Sequence, residues 1–113
     1  MTDKLSLKEN TDRHRKVRPL VDVFEGPDAY QIVLDVPGVA KDDVNLNLEN
    51  RELKVTATRR GAVPDPVIYE RYFTIPATVD SDKTEANLTA GVLTVTLHKH
   101  AQAKPRQIKV KAA

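Results

Sequence analysis

At 113 residues, 40% of them hydrophobic and 30% charged, the chain is one domain with enough apolar material for a modest core. It contains no cysteine, which excludes disulfides, thiolate nucleophiles and thiolate metal sites, and no apolar run approaches the roughly eighteen residues that span a bilayer. The formal charge of +2 conceals an asymmetry: residues 1–18 carry six Lys/Arg against three Asp/Glu, residues 19–98 carry seven against thirteen, and residues 99–113 carry five and no acid. An acidic body between two basic tails can meet nucleic acid, an anionic surface, or the body of another copy. With no apolar leader at its start, the chain reads as soluble and cytoplasmic.

Residues 1–18 keep no sustained period and read as a polar flexible arm with at most a fraying helical turn. Pro19 opens a short edge strand over Leu20–Glu25, and Gly26-Pro27-Asp28 turns the chain. In the next strand, 29–36, Tyr30, Ile32, Leu34 and Val36 share one face; Pro37-Gly38 punctuates it, and 40–43 fits one 3₁₀ turn. Val44, Leu46 and Leu48 alternate with Asn45, Asn47 and Glu49, Asn50-Arg51 turns, and 52–58 returns with the same alternation, a hairpin. After a loop to Pro66, the strand 67–75 places Val67, Tyr69, Phe73 and Ile75 on one face, with Arg71 interrupting. Ile68 and Tyr72, on its nominally polar side, point to a face covered by something else: a dimer or client surface.

Residues 77–83 read as a polar connection. A shorter strand at 84–88 then turns tightly at 89–91 into a strand with Leu93, Val95 and Leu97 on one face. Six or seven short strands and no helical period give an all-β, antiparallel β-sandwich over residues 19–98. Residues 99–113 form a basic tail, and within it Ile108 and Val110 would point the same way in an extended segment, ready for two adjacent pockets.

The chemistry for catalysis is thin. Ser6 and Ser81 sit in no glycine-flanked elbow, so no nucleophile stands out. His98 and His100 would need a carboxylate from elsewhere to hold zinc and read as solvated imidazoles. Asp42-Asp43 and Asp80-x-Asp82 read as turn and cap residues, and no glycine-rich phosphate cradle is present. The basic tails carry no interleaved aromatics for base stacking, which argues against nucleic acid. The expectation is a non-enzyme without cofactor or metal.

Five stretches carry a family likeness across about 19–98: Pro19–Glu25, the run Ala29–Val39 ending Asp35-Val36-Pro37-Gly38-Val39, Lys41–Val44, Phe73–Pro76, and Ala86-x-Leu88-x-x-Gly91-Val92-Leu93-x-Val95-x-Leu97. With the terminal Ile108-x-Val110, they resemble the bacterial small heat shock proteins of the Hsp20 or α-crystallin-domain family. The resemblance implies an immunoglobulin-like sandwich and an ATP-independent holdase that binds partly unfolded client proteins. It implies dimers or larger oligomers, possible mixing with a longer-armed homologue, and no role for a membrane. It also implies that Ile108 and Val110 dock between two edge strands of a neighbour, against Val44, Leu46, Leu48, Ala86 and Leu88. Three features depart from the family pattern: the polar arm, a 59–69 segment too short for an exchanged strand, and His98 and Ala90 at the ends of the last strand. A related sandwich, the CS or p23-like co-chaperone or adaptor, is the competing reading.

Overall fold

The computed structural model describes residues 15–61, 66–101 and 108–112. Eight strands run in order: β1 (Arg15–Val17), β2 (Val21–Glu25), β3 (Ala29–Asp35), β4 (Val44–Glu49), β5 (Glu52–Arg59), β6 (Val67–Thr74), β7 (Val79–Thr89) and β8 (Val92–Lys99). A 3₁₀ turn at Lys41–Asp43 precedes β4. Two four-stranded sheets result, ordered β1-β6-β5-β4 and β2-β3-β8-β7. Stacked face to face, they make an immunoglobulin-like β-sandwich of the α-crystallin type.

Period-two patterning decides which faces meet. Ile32 and Leu34 of β3, Leu53, Val55 and Ala57 of β5, Val67 and Tyr69 of β6, and Leu93, Val95 and Leu97 of β8 are buried together with Val36, Val39, Ile75 and Val79. The registers keep this consistent, since Leu34 lies opposite Leu93 and Ile32 opposite Val95. A one-residue slip would turn each row to solvent. Arg71 is the exception on the inner row of β6: its guanidinium carbon lies 5.8 Å from the Phe73 ring centre, within cation–π range.

Both tight hairpins use two residues with positive φ, the mirror-image turn that suits the right-handed twist of paired strands. Asn50 (φ 52°) and Arg51 (φ 61°) join β4 to β5, and Ala90 (φ 49°) and Gly91 (φ 78°) join β7 to β8. At Gly91 a side chain would also approach Pro37 Cα to 3.1 Å, and the Gly91 carbonyl accepts a hydrogen bond from Val36 N–H at 2.7 Å. The turn is thereby fastened to the Val36-Pro37-Gly38 corner, a physical reason for a glycine before the Val92-Leu93 pair.

The structure departs from the sequence reading at two places. Residues 15–17 are not arm but strand: they pair parallel with Val67–Tyr69 of β6, and Arg15 N–H donates to Pro66 C=O at 3.2 Å. Residues 1–14 lie outside those described. The 77–83 stretch is not a plain connection, and the strand after it is not short, because β7 begins at Val79. Between Val79 and Thr84 the strand advances five residues while β8 advances two, an outward bulge at an edge. Within it Asp82 N–H donates to Asp80 Oδ1 at 3.1 Å, the local carboxylate turn expected of Asp80-x-Asp82.

Ala90 sits in a backbone region that an L side chain resists by about 1 kcal/mol, and asparagine tolerates it better. Ala90→Asn is expected to raise stability by about 0.5–1 kcal/mol, read as a higher denaturation midpoint with an unchanged slope. Gly91→Val is expected to lower that midpoint, through both its φ and the contact with Pro37.

Candidate functional site

The outer strands of the sandwich have no further strand beyond them, so inward-facing side chains there stay partly open. This holds for Val44, Leu46 and Leu48 of β4 and Leu88 of β7, which are half-buried against the core, while Ala86 is exposed. β4 ends one sheet and β7 ends the other, and the two edges face each other across a groove.

Two cavities lie along this groove. One, of about 480 Å³, is lined by Lys41, Val44, Leu46, Ala86, Asn87, Leu88 and Leu93. The other, of about 300 Å³, is lined by Leu48, Asn50, Arg51, Ile75, Pro76, Ala77, Val79 and Ser81. Four of the five expected groove residues therefore share one cavity, and Leu48 belongs to the next. Lys41, Ile75 and Val79 were missed by sequence reasoning. Val79 was legible only as the single apolar residue opening a polar run.

The tail motif stands apart from this groove: Ile108 and Val110 are 83% and 96% exposed. On the outer face of the β1-β6-β5-β4 sheet, Tyr72 is exposed and lines a polar cavity of about 420 Å³ with Asn47, Glu49, Asn50, Arg51, Glu52, Lys54 and Thr74. Lys54 Nζ lies 5.7 Å from its ring centre. Ile68 is half-buried and pairs with Lys16 of β1, so the two residues share a face but not a cavity.

His98 and His100 each lie against an acidic side chain. His98 Nε2 lies 2.6 Å from Glu85 Oε2, and His100 Nδ1 lies 3.8 Å from Asp80 Oδ2. The two contacts flank the β7 bulge. Between them Lys99 Nζ donates to Glu25 Oε2 at 2.9 Å and lies 4.9 Å from the Tyr30 ring centre. That hydrogen bond, and then the lysine charge, hold the Glu25 carboxyl below the ordinary carboxylate range. Asp43 is paired too, accepting from Arg60 Nε at 3.1 Å. Among the described residues no three His, Asp or Glu side chains are gathered as a metal site, and no helix is long and apolar enough to cross a membrane.

Two four-stranded sheets stacked as a sandwich, with a groove left open between their β4 and β7 edges, define an α-crystallin-type domain. The chain belongs to the Hsp20/alpha crystallin family, whose model matches residues 22–111. It is 31% identical over 110 residues to Heat shock protein 16 of Schizosaccharomyces pombe, covering 85% of this chain and 77% of that one. The solved structure of Heat shock protein 16.0 from that organism superposes with a TM-score of 0.65, covering 86% of this chain and 97% of that one, at 31% identity. A small heat-shock protein from Xylella fastidiosa gives 0.67 at 25% identity, covering 85% and 98%. The 22.7 kDa class IV heat shock protein of Pisum sativum is 34% identical over 105 residues, 80% of this chain but only 53% of that protein. Relatives thus come from fungi and plants as well as bacteria, so the likeness is to the family as a whole. Membership brings the family's general association with holdase activity, client binding and oligomer formation, and its members are typically non-catalytic.

Because Glu25 is more acidic in the folded chain than in the unfolded one (about 4.3), its contact with Lys99 favours folding above that value. The contribution fades as pH falls through the lower folded value. Glu25→Gln is therefore expected to be less stable than the parent at pH 7, with the two converging on acidification in denaturation curves.

Proposed function

We propose that this protein is an ATP-independent holdase that captures partly unfolded proteins before they aggregate. Its assembly is reversible, through docking of Ile108 and Val110 into the β4–β7 groove of a neighbouring copy. The observation that carries this is the pair of cavities in series between β4 and β7. Leu46 bounds one and Leu48 the next, and two residues of extended chain advance about 6.6–6.8 Å. The same spacing separates Ile108 from Val110 when that segment is extended, so the pair matches the Leu46–Leu48 row of β4. A contact this short is weak and exchangeable, which suits an assembly that must open to expose client-binding surface.

Family membership supports the holdase role. Tyr72, with the exposed Leu20, Val23 and Phe24 around β2, supplies apolar surface outside the groove for clients or a dimer partner. The site of action is proposed to be the cytoplasm, in line with the sequence reading. A homo-oligomer is the expected form, with a longer-armed homologue as a further partner.

Added at equimolar subunits without nucleotide, the protein is expected to suppress heat-induced light scattering of a labile enzyme. An inert protein at equal mass should have no effect, and unchanged scattering across temperatures would count against the holdase. Ile108→Ala with Val110→Ala is expected to shift sedimentation from oligomers toward dimers while leaving the unfolding midpoint in place, since both residues are exposed. Sedimentation identical to the parent would remove tail docking from the account.

A further inference from the structure

The outer face of the β2-β3-β8-β7 sheet, well away from the groove, carries apolar side chains and unbalanced acid together. Asp35 N–H donates to Leu20 C=O at 3.0 Å, and Asp35 pairs with Val92, so Leu20, Asp35 and Val92 form one row across the sheet. In the next row Asp22 lies beside Val33, and Phe24 follows one step further along β2. Leu20 is 78% exposed, Phe24 55% and Val92 37%. Each acid therefore stands between apolar side chains. Asp35 lies between Leu20 and Val92 on strands about 4.7–4.9 Å apart, and Asp22 lies about 6.6–6.8 Å from both Leu20 and Phe24 along its own strand.

Neither carboxylate is balanced. Asp22 and Asp35 are exposed, and among the described residues neither side chain has an ion pair or a hydrogen bond. Glu85, a third acid at an outward position, already lies against His98, and the outward positions of these paired strands hold no lysine or arginine. The opposite sheet is different, because there Glu70 is matched by both Lys16 and Lys54. A surface with exposed apolar groups and uncompensated acids attracts a partner that brings apolar and positive groups together, and it repels an acidic one.

We propose that this face binds extended cationic segments of other proteins, with the pattern apolar-x-Lys/Arg-x-apolar. Alternate side chains of an extended segment share one side, so such a segment laid over β2 sets its basic group on Asp22 and its apolar pair on Leu20 and Phe24. The proposal goes beyond the groove, and it rests on the holdase reading only for the state of its partner, an unfolding chain. The protein's own basic ends do not supply the pattern, since no apolar-x-Lys/Arg-x-apolar run occurs in residues 1–18 or 100–113. A second copy of the same face would set acid against acid. The occupant is a client, selected by charge as well as by apolar surface.

The test uses the full chain and short fluorescent peptides with threonine at every even position, read by anisotropy at low salt. In the first, leucine and lysine alternate at the odd positions; the second has glutamate for lysine, and the third serine for leucine. The first is expected to bind about tenfold more tightly than either of the others, with its lead over the glutamate peptide shrinking as salt is raised. Asp22→Asn with Asp35→Asn should weaken the first peptide about fivefold and leave the unfolding midpoint in place, since both side chains are exposed. Leu20→Ser with Phe24→Ser should weaken it as well. Equal binding of the lysine and glutamate peptides, or binding indifferent to Asp22→Asn and Asp35→Asn, would overturn the proposal. So would binding abolished by Leu46→Ser but untouched by Phe24→Ser, which would put the segment in the β4–β7 groove. If no peptide binds, this face falls, while suppressed light scattering by the same preparation would keep the holdase reading.

Discussion

The structure depends on a mismatch between how much apolar surface each sheet presents and how much the other can cover. In the middle, β5 and β6 face β3 and β8, and Leu34, Leu53, Leu93 and Leu97 are removed from water almost completely. Each such side chain contributes about 1.5–3 kcal/mol. At the margins the same inward alternation continues, but nothing lies beyond to close over it. Val44, Leu46, Leu48 and Leu88 are thus held half-open by the pattern that seals the interior. The groove needs no special element: it is what remains of a core at the place where the sheets end.

Several contacts keep that margin in place. The Ala90-Gly91 turn is tied to the Val36 corner, which sets the end of β7 nearest Leu88. At the other end, the bulge between Val79 and Thr84 is flanked by the His98–Glu85 and His100–Asp80 contacts, while Lys99 anchors the end of β8 to Glu25. Three successive basic residues at the root of the tail are therefore each matched with an acid of the body. The charge asymmetry visible in composition becomes, locally, a set of fasteners where the chain leaves the sandwich.

Most of the fold was legible because inner rows such as Tyr30-x-Ile32-x-Leu34, Val44-x-Leu46-x-Leu48 and Leu93-x-Val95-x-Leu97 announce both strand and facing. β1 was not, since Arg15-Lys16-Val17 has no alternation of its own and is strand only because the free edge of β6 offers it hydrogen bonds. The first half of β7 was hidden for the opposite reason. A bulge lifts Asp80–Lys83 out of register, so a stretch that begins and ends in the ladder is polar throughout. The inward facing of Val44, Leu46 and Leu48 was readable from patterning, while the groove itself was implied only by the family likeness. The groove's β7 side, and its division into two cavities, depended on where the sheets stop relative to each other, which no local period encodes.

Open β-edges are also the surfaces through which proteins join end to end into fibrils. Here each edge carries a different obstacle to that growth. β1 offers only three residues and soon meets Pro19; β2 carries Asp22 and Glu25; β4 alternates with Asn45, Asn47 and Glu49; β7 is bent by its bulge. A second sandwich cannot lie flush along any of them, whereas a short pliable peptide can. A protein whose proposed work brings it against unravelling, sticky chains is in this way kept from being recruited into the aggregates it meets.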